Sequence, residues 1–166
     1  MIDFMLIGAP RSGTTWAANW LTTDTSLCLH DPLAKYHYSE WDSLQYGDKI
    51  IGVADTGISA FHAWVNSHPA RKIIIHRDPK EIAESLGMPE FLDVPCHLGQ
   101  IDGMHVHFRE LFESPREIYE YALHKEFDAE RHAALKEMQI QPFGHGMVFD
   151  TVLMRKLVQE IRMTLQ

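Results

Sequence analysis

The feature that most constrains the fold is a glycine-rich segment near the N-terminus, Gly8-Ala-Pro-Arg-Ser-Gly-Thr-Thr15. It follows an apolar run at residues 2–7, which is typical of a buried strand, and it leads into residues 14–21, where Trp16 and Trp20 lie at helical spacing. Two glycines five positions apart let the backbone curl so that successive N–H groups point inward. The order of strand, glycine-rich turn and helix therefore predicts a loop that binds a phosphate or a similar anion.

Strand-like and helix-like segments alternate along the rest of the chain. Further strands are predicted at residues 27–30, 50–54, 72–76 and 146–149. Helices are predicted around residues 61–65 and at residues 79–86, 114–138 (as one helix or two) and 153–165. The alternation favours an α/β fold, a three-layer α/β/α sandwich with a mainly parallel sheet, in a single domain over residues 1–166. Residues 88–113 have no consistent period and stay unassigned.

The composition argues against several classes of protein. The formal net charge of −8 disfavours a nucleic-acid partner, because phosphate backbones need a basic face. No apolar run approaches the roughly 20 residues that cross a bilayer, and residues 1–9 lack the length and the basic flank of a secretory signal. We therefore expect no membrane partner. The two cysteines, Cys28 and Cys96, cannot build a disulfide framework, which favours a cytoplasmic location.

The anion loop departs from the nucleotide triphosphatase form at one position. Where the pattern G-x-x-x-x-G-K-[ST] has lysine, this chain has Thr14, and its cation comes earlier, from Arg11. That lysine normally bridges the β and γ phosphates, so its loss disfavours hydrolysis of ATP or GTP and the activity of a P-loop kinase. We expect the loop to bind a different anion.

Residues 10–16, Pro-Arg-Ser-Gly-Thr-Thr-Trp, closely resemble the 5′-phosphosulfate loop of the sulfotransferases that use 3′-phosphoadenosine 5′-phosphosulfate (PAPS). A second motif of that family is an arginine at the end of a strand with a serine eight residues later, and Arg77 and Ser85 match it. The resemblance covers residues 2–32 and 72–87 well and residues 146–165 more weakly. It implies a sulfotransferase-like P-loop fold, PAPS as the donor and no metal.

The resemblance also implies which residues bind the donor. Those of the 5′-phosphosulfate loop are Pro10, Arg11, Ser12, Gly13, Thr14 and Thr15. Arg77 would offer a bidentate fork to the 3′-phosphate, and Ser85, two helical turns further on, would add a hydroxyl. Trp16 stands where cytosolic members stack an aromatic ring on adenine, although a tryptophan in the core is the alternative. The Arg-Lys-Gly segment that clasps adenine in those members is absent.

Sulfuryl transfer needs a cation near the bridging oxygen and a base near the acceptor. Arg11 is the candidate cation. The family uses a histidine at the end of the third strand or a glutamate after the second; here Asp55 and Asp31 follow those strands. We expect these carboxylates to act jointly, because ligands of open α/β sheets bind at the carboxyl ends of strands. His30 is a weaker candidate, since strand alternation should turn its side chain away from that of Asp31.

The chain contains eleven histidines, and His105 and His107 alternate so that they could share one face of a strand. A metal site would need a third ligand at a recognisable spacing, and none follows. We therefore interpret these histidines as solvated or structural residues and expect no metal.

The leading hypothesis is a PAPS-dependent sulfotransferase that modifies a hydroxyl or amine of a small acceptor. One alternative is a nucleotide-binding module of the same fold that has lost transfer, and a less favoured one is a P-loop kinase. The acidic surface disfavours heavily sulfated polysaccharides as acceptors and favours neutral or cationic small molecules.

Overall fold

Five parallel strands form a single sheet in a computed structural model that describes residues 1–86, 97–138 and 151–164. The strands are β1 (Phe4–Gly8), β2 (Ser26–His30), β3 (Ile50–Asp55), β4 (Arg71–His76) and β5 (Met104–His107). Their order across the sheet is β2-β3-β1-β4-β5. All of the pairings are parallel, so the carboxyl ends of the five strands lie along one edge.

Helices cover both faces of the sheet. They are α1 (Thr14–Trp20), α2 (His62–Ser67), α3 (Pro79–Leu86), α4 (Glu110–Glu113), α5 (Pro115–Leu123), α6 (Ala129–Lys136) and α7 (Thr151–Thr164). The core on one face joins α1 and α5 to the sheet, and the core on the other joins α2 and α7 to it. The predicted three-layer α/β/α fold is therefore confirmed.

The central strand β1 is buried along its whole length. Phe4 and Leu6 pack into the core that contains α1, whereas Met5 and Ile7 pack into the core that contains α2. A parallel strand covered on both faces needs apolar side chains at every position, and this explains the continuous apolar run of the sequence.

One segment differs from the sequence-based expectation. Strand β5 lies inside the unassigned stretch, because only Val106 of its four residues is buried and no apolar pattern marks it. Of the two alternatives for residues 114–138, the structure has two helices, since α5 is followed by His124, whose left-handed backbone (φ 51°) cannot continue a helix. The strand predicted at residues 146–149 and the cysteine Cys96 lie outside the described residues.

No helix within the three described ranges combines the length and the apolar character that a bilayer crossing requires.

Gly52 gives a test of this packing. An added Cβ there would lie 2.0 Å from the ring of Phe4 on the neighbouring strand, and Phe4 is fully buried. We expect Gly52→Ala to lower the free energy of unfolding by about 1–3 kcal/mol, as overpacking of a core does. Urea denaturation would measure the loss. Gly99→Ala is the control, because nothing lies within 4 Å of an added Cβ at that position; equal stability of the two variants would contradict the packing described.

Candidate functional site

The segment between β1 and α1 is a tight loop with two left-handed residues. Arg11 has a φ of 65° and Gly13 a φ of 82°. A Cβ on Gly13 would lie 2.9 Å from the ring of Phe108, so both the backbone conformation and the close approach of that ring favour glycine here. The loop turns the chain at the carboxyl edge of the sheet. It is the segment for which the sequence predicts anion binding.

The two predicted donor motifs meet at this loop. The Nε atom of Arg11 donates a hydrogen bond to the Ser85 hydroxyl at 3.0 Å, and a terminal nitrogen of Arg77 donates to the carbonyl oxygen of Arg11. The contact follows from the topology, since β1 and β4 are neighbours and Gly8 pairs with Ile75. The structure thus brings Arg11, Arg77 and Ser85 together.

Several polar groups of the loop have no hydrogen-bond partner among the residues that the structure describes. The side chain of Ser12 is completely buried, and its hydroxyl bonds to no described residue. Among the same residues, none accepts a hydrogen bond from the backbone N–H of Gly13, Thr14 or Thr15. A buried hydroxyl without a partner is costly. An anion seated in the loop would satisfy these donors.

His30 faces the loop from the end of β2. Its Nε2 atom lies 3.0 Å from the Thr15 hydroxyl, 3.5 Å from the Thr14 hydroxyl and 3.4 Å from Asp31 Oδ2. The expectation that the side chains of His30 and Asp31 point apart is therefore wrong. Alternation applies only while both residues are extended, and Asp31 adopts a left-handed conformation with a φ of 44°.

Asp31 is held from its other side by the turn after β3. Its Oδ1 atom accepts hydrogen bonds from the backbone N–H of Thr56 at 3.0 Å and from the Thr56 hydroxyl at 3.2 Å. The side chain is only 11% exposed, whereas that of His30 is 31% exposed. Asp31 is thus positioned to orient His30, which is the more accessible of the two.

Asp55 occupies a different setting. Its buried carboxylate accepts hydrogen bonds from the backbone N–H groups of Leu33, Gly57 and Ile58, at 3.0, 2.8 and 2.9 Å. Burial raises the pKa of Asp55 to about 7, with a further contribution from the charge of Asp31, while the three N–H donors act in the opposite direction. This geometry favours a structural role, in which Asp55 joins the turns after β2 and β3.

Trp16 packs into the protein. Its ring centroid lies 4.7 Å from that of Phe112 and 5.3 Å from that of Trp20, and its indole N–H donates to the carbonyl of Leu135 at 3.2 Å. The geometry favours the core alternative over a free ring that stacks on adenine.

The sequence reasoning missed the segment after β5. The ring of Phe108 lies 4.2 Å from the guanidinium carbon of Arg77, and Arg109 donates to Glu81 at 2.7 Å. The alternating histidines of β5 were the available signal, because a parallel strand there would bring the next residues to the same edge as Arg77.

The histidines of β4 and β5 interact with each other. His76 Nε2 lies 2.8 Å from His105 Nδ1, and the rings stack with centroids 5.1 Å apart. Burial lowers the pKa of His76, and the charges of His105 and His107 lower it further. In the described parts of the chain, no group of three or more histidine, cysteine or carboxylate side chains could hold a metal ion.

A cavity of about 470 Å³ opens beside the carboxyl end of β2. Its volume falls in the range of small-molecule sites. Its lining residues are Leu29, His30, Asp31, Pro32, Ala34, Lys35, Tyr36 and Tyr46. His30 thus borders both the anion loop and this cavity, and Asp31 lines the cavity beside it.

No protein-family model, curated protein or solved structure matches this chain. Any functional assignment therefore depends on the residues and on the geometry they adopt.

Asp55 predicts a pH dependence of stability. The folded protein keeps the Asp55 proton up to a pH of about 7, whereas the unfolded chain releases it near the ordinary value of 3.8. Between these two pKa values the folded state binds more protons at Asp55 than the unfolded chain does. The contribution of Asp55 to the free energy of unfolding therefore falls as pH rises and is lowest above about 7. Urea denaturation at several pH values from about 5 to 8 should show a smaller decline for Asp55→Asn than for the unmodified protein.

The exposed Asp48 provides the matched control, and Asp48→Asn should decline in parallel with the unmodified protein. Identical slopes for all three proteins would contradict the raised pKa.

Proposed function

We propose that the protein is a PAPS-dependent sulfotransferase that transfers a sulfuryl group to a hydroxyl or amine of a small acceptor. The observation that carries the proposal is the convergence of Arg11, Arg77 and Ser85, because the arginine–serine motif and the loop are far apart in sequence and meet in space. The pairing of β1 with β4 brings the two motifs to one edge of the sheet, and the hydrogen bonds of Arg77 and Ser85 then direct both side chains to the loop.

The chemistry of the donor set fits a bisphosphorylated nucleotide. Arg77 offers the planar fork that binds phosphate oxygens, and Ser85 adds a hydroxyl. The buried hydroxyl of Ser12 and the N–H groups of Gly13 and Thr14, which have no partner in the described ranges, suit a second anionic group.

When bound, PAPS would supply a sulfonate on a phosphate leaving group. Arg11 contributes the positive charge that offsets the negative charge developing in transfer. Thr14 and Thr15 orient the loop toward His30 through their hydroxyls.

His30 replaces the two carboxylates as the preferred base. Its Nε2 atom takes the proton of the acceptor, and this proton then lies next to Asp31 Oδ2, 3.4 Å away, where the carboxylate stabilises the imidazolium. Asp31 keeps a role as the partner of His30. Asp55 acts indirectly, since it fixes the turns that carry Asp31 and Thr56.

The cavity of about 470 Å³ beside His30 is the proposed acceptor site, and its size suits a small molecule. The exposed rings of Tyr36 and Tyr46 would contact the body of the acceptor while His30 faces the reacting hydroxyl or amine. We also propose a reducing, cytoplasmic setting, in which the buried Cys28 stays a free thiol.

Donor binding is tested by calorimetry with 3′-phosphoadenosine 5′-phosphate (PAP), the desulfated donor. We expect the unmodified protein to bind PAP and Arg77→Ala to bind it about tenfold to a hundredfold more weakly, since a hydrogen bond to a charged group is lost. Tighter, magnesium-dependent binding of ATP would instead favour a kinase and overturn the proposal.

Turnover distinguishes an enzyme from a binding module. With PAPS and a panel of small phenols, alcohols and amines, we expect His30→Gln to slow release of PAP by roughly 10²–10⁴-fold, as loss of a general base does. Binding of PAP should be retained. His124→Asn is the control, because this exposed histidine lies away from the site and asparagine tolerates its left-handed backbone. If PAP binds and no acceptor supports turnover, the protein is a nucleotide-binding module.

A further inference from the structure

A second arginine lies beside Arg77, and one carboxylate holds both. Glu81 Oε1 accepts a hydrogen bond from Arg109 Nη2 at 2.7 Å, and Glu81 Oε2 accepts one from Arg77 Nε at 3.4 Å. The side chain of Arg77 is 17% exposed, that of Glu81 28% and that of Arg109 64%. The cluster therefore opens to solvent on the side of Arg109.

The fold explains why these residues meet. Glu81 lies one helical turn after Arg77, on α3. Arg109 follows β5, which pairs with β4 so that His107 lies beside His76. Phe108, between β5 and Arg109, packs its ring against the guanidinium of Arg77. One short segment thus supplies a ring that fixes Arg77 and a second guanidinium next to it.

The carboxylate of Glu81 lies between the guanidiniums of Arg77 and Arg109, which indicates that an anion can bind there. A phosphate dianion carries more charge and more acceptor oxygens than a carboxylate, so it can bind both forks at once. The net charge of the chain is −8, so general attraction does not favour a polyanion and local cations must bind it.

We propose that Arg109 is a third cation of the donor site, which binds the 3′-phosphate together with Arg77, and that Glu81 holds the two arginines until that phosphate displaces it. This inference rests on the proposed function, because it assigns the phosphate at Arg77 to the nucleotide donor. Arg109 thereby becomes a residue that selects nucleotides with a 3′-phosphate.

The test compares PAP with adenosine 5′-monophosphate (AMP), which differs from it only by lacking the 3′-phosphate. Calorimetry should show that Arg109→Ala weakens PAP binding by about tenfold or more and leaves AMP binding unchanged. Glu81→Gln should tighten PAP binding several-fold, because the competing carboxylate charge is gone, again without an effect on AMP.

Arg116→Ala is the matched control. Arg116 is 62% exposed and pairs with Glu120 on α5, so its loss removes a comparable arginine from a comparable ion pair away from the loop. We expect its affinity for PAP to equal that of the unmodified protein. Since Arg109 is exposed, the Arg109→Ala variant should fold, which circular dichroism would verify.

The outcomes separate the two proposals. If the unmodified protein fails to bind PAP, the proposed function falls, and this inference falls with it. If PAP binds and Arg77→Ala weakens it while Arg109→Ala does not, only the role of Arg109 is overturned. An equal loss of PAP and AMP affinity in Arg109→Ala would also overturn it, because the effect would then be a general one of charge.

Discussion

The parallel pairing of β1 with β4 is the constraint on which the rest of the site depends. It places the end of β1 at Gly8 beside Ile75, so the loop that follows β1 and the arginine that follows β4 emerge together. The hydrogen bond from Arg77 to the carbonyl of Arg11 then ties the two segments. A left-handed residue at Arg11 directs its carbonyl and its side chain to different partners of the same motif.

A second set of hydrogen bonds, made by Asp55, connects segments on the other half of the sheet. The buried carboxylate of Asp55 collects backbone N–H groups from the turn after β2 and from the turn after β3. Thr56, in the second turn, holds Asp31, and Asp31 lies against His30. A chain of contacts therefore runs from the core to an exposed histidine, and the three N–H donors at its buried end favour a structural role for Asp55.

The elements that could be predicted from the sequence are those whose burial determines their composition. Strands β1 and β4 are covered on both faces and form apolar runs, and the motif of Arg77 and Ser85 could be located because it starts where β4 ends. Strand β5 has no apolar pattern, since Val106 is its single buried residue, and the alternation of His105 and His107 is the weaker signal that it leaves in the sequence. The contact between His30 and Asp31 could not be predicted, because it depends on the left-handed backbone of Asp31. Aspartate tolerates that conformation but does not require it.

The contact between Thr15 and His30 couples two parts of the candidate site. The Thr15 hydroxyl belongs to the loop after β1 and also contacts the Nε2 atom of His30, so under the proposed function the same side chain would serve the donor side and the acceptor side. Two ligands that act on one shared group are thermodynamically coupled, and each changes the affinity for the other by the same factor. Under the proposed function, an anion in the loop and a proton on His30 therefore change each other's binding by one and the same factor, through the contact between Thr15 and His30.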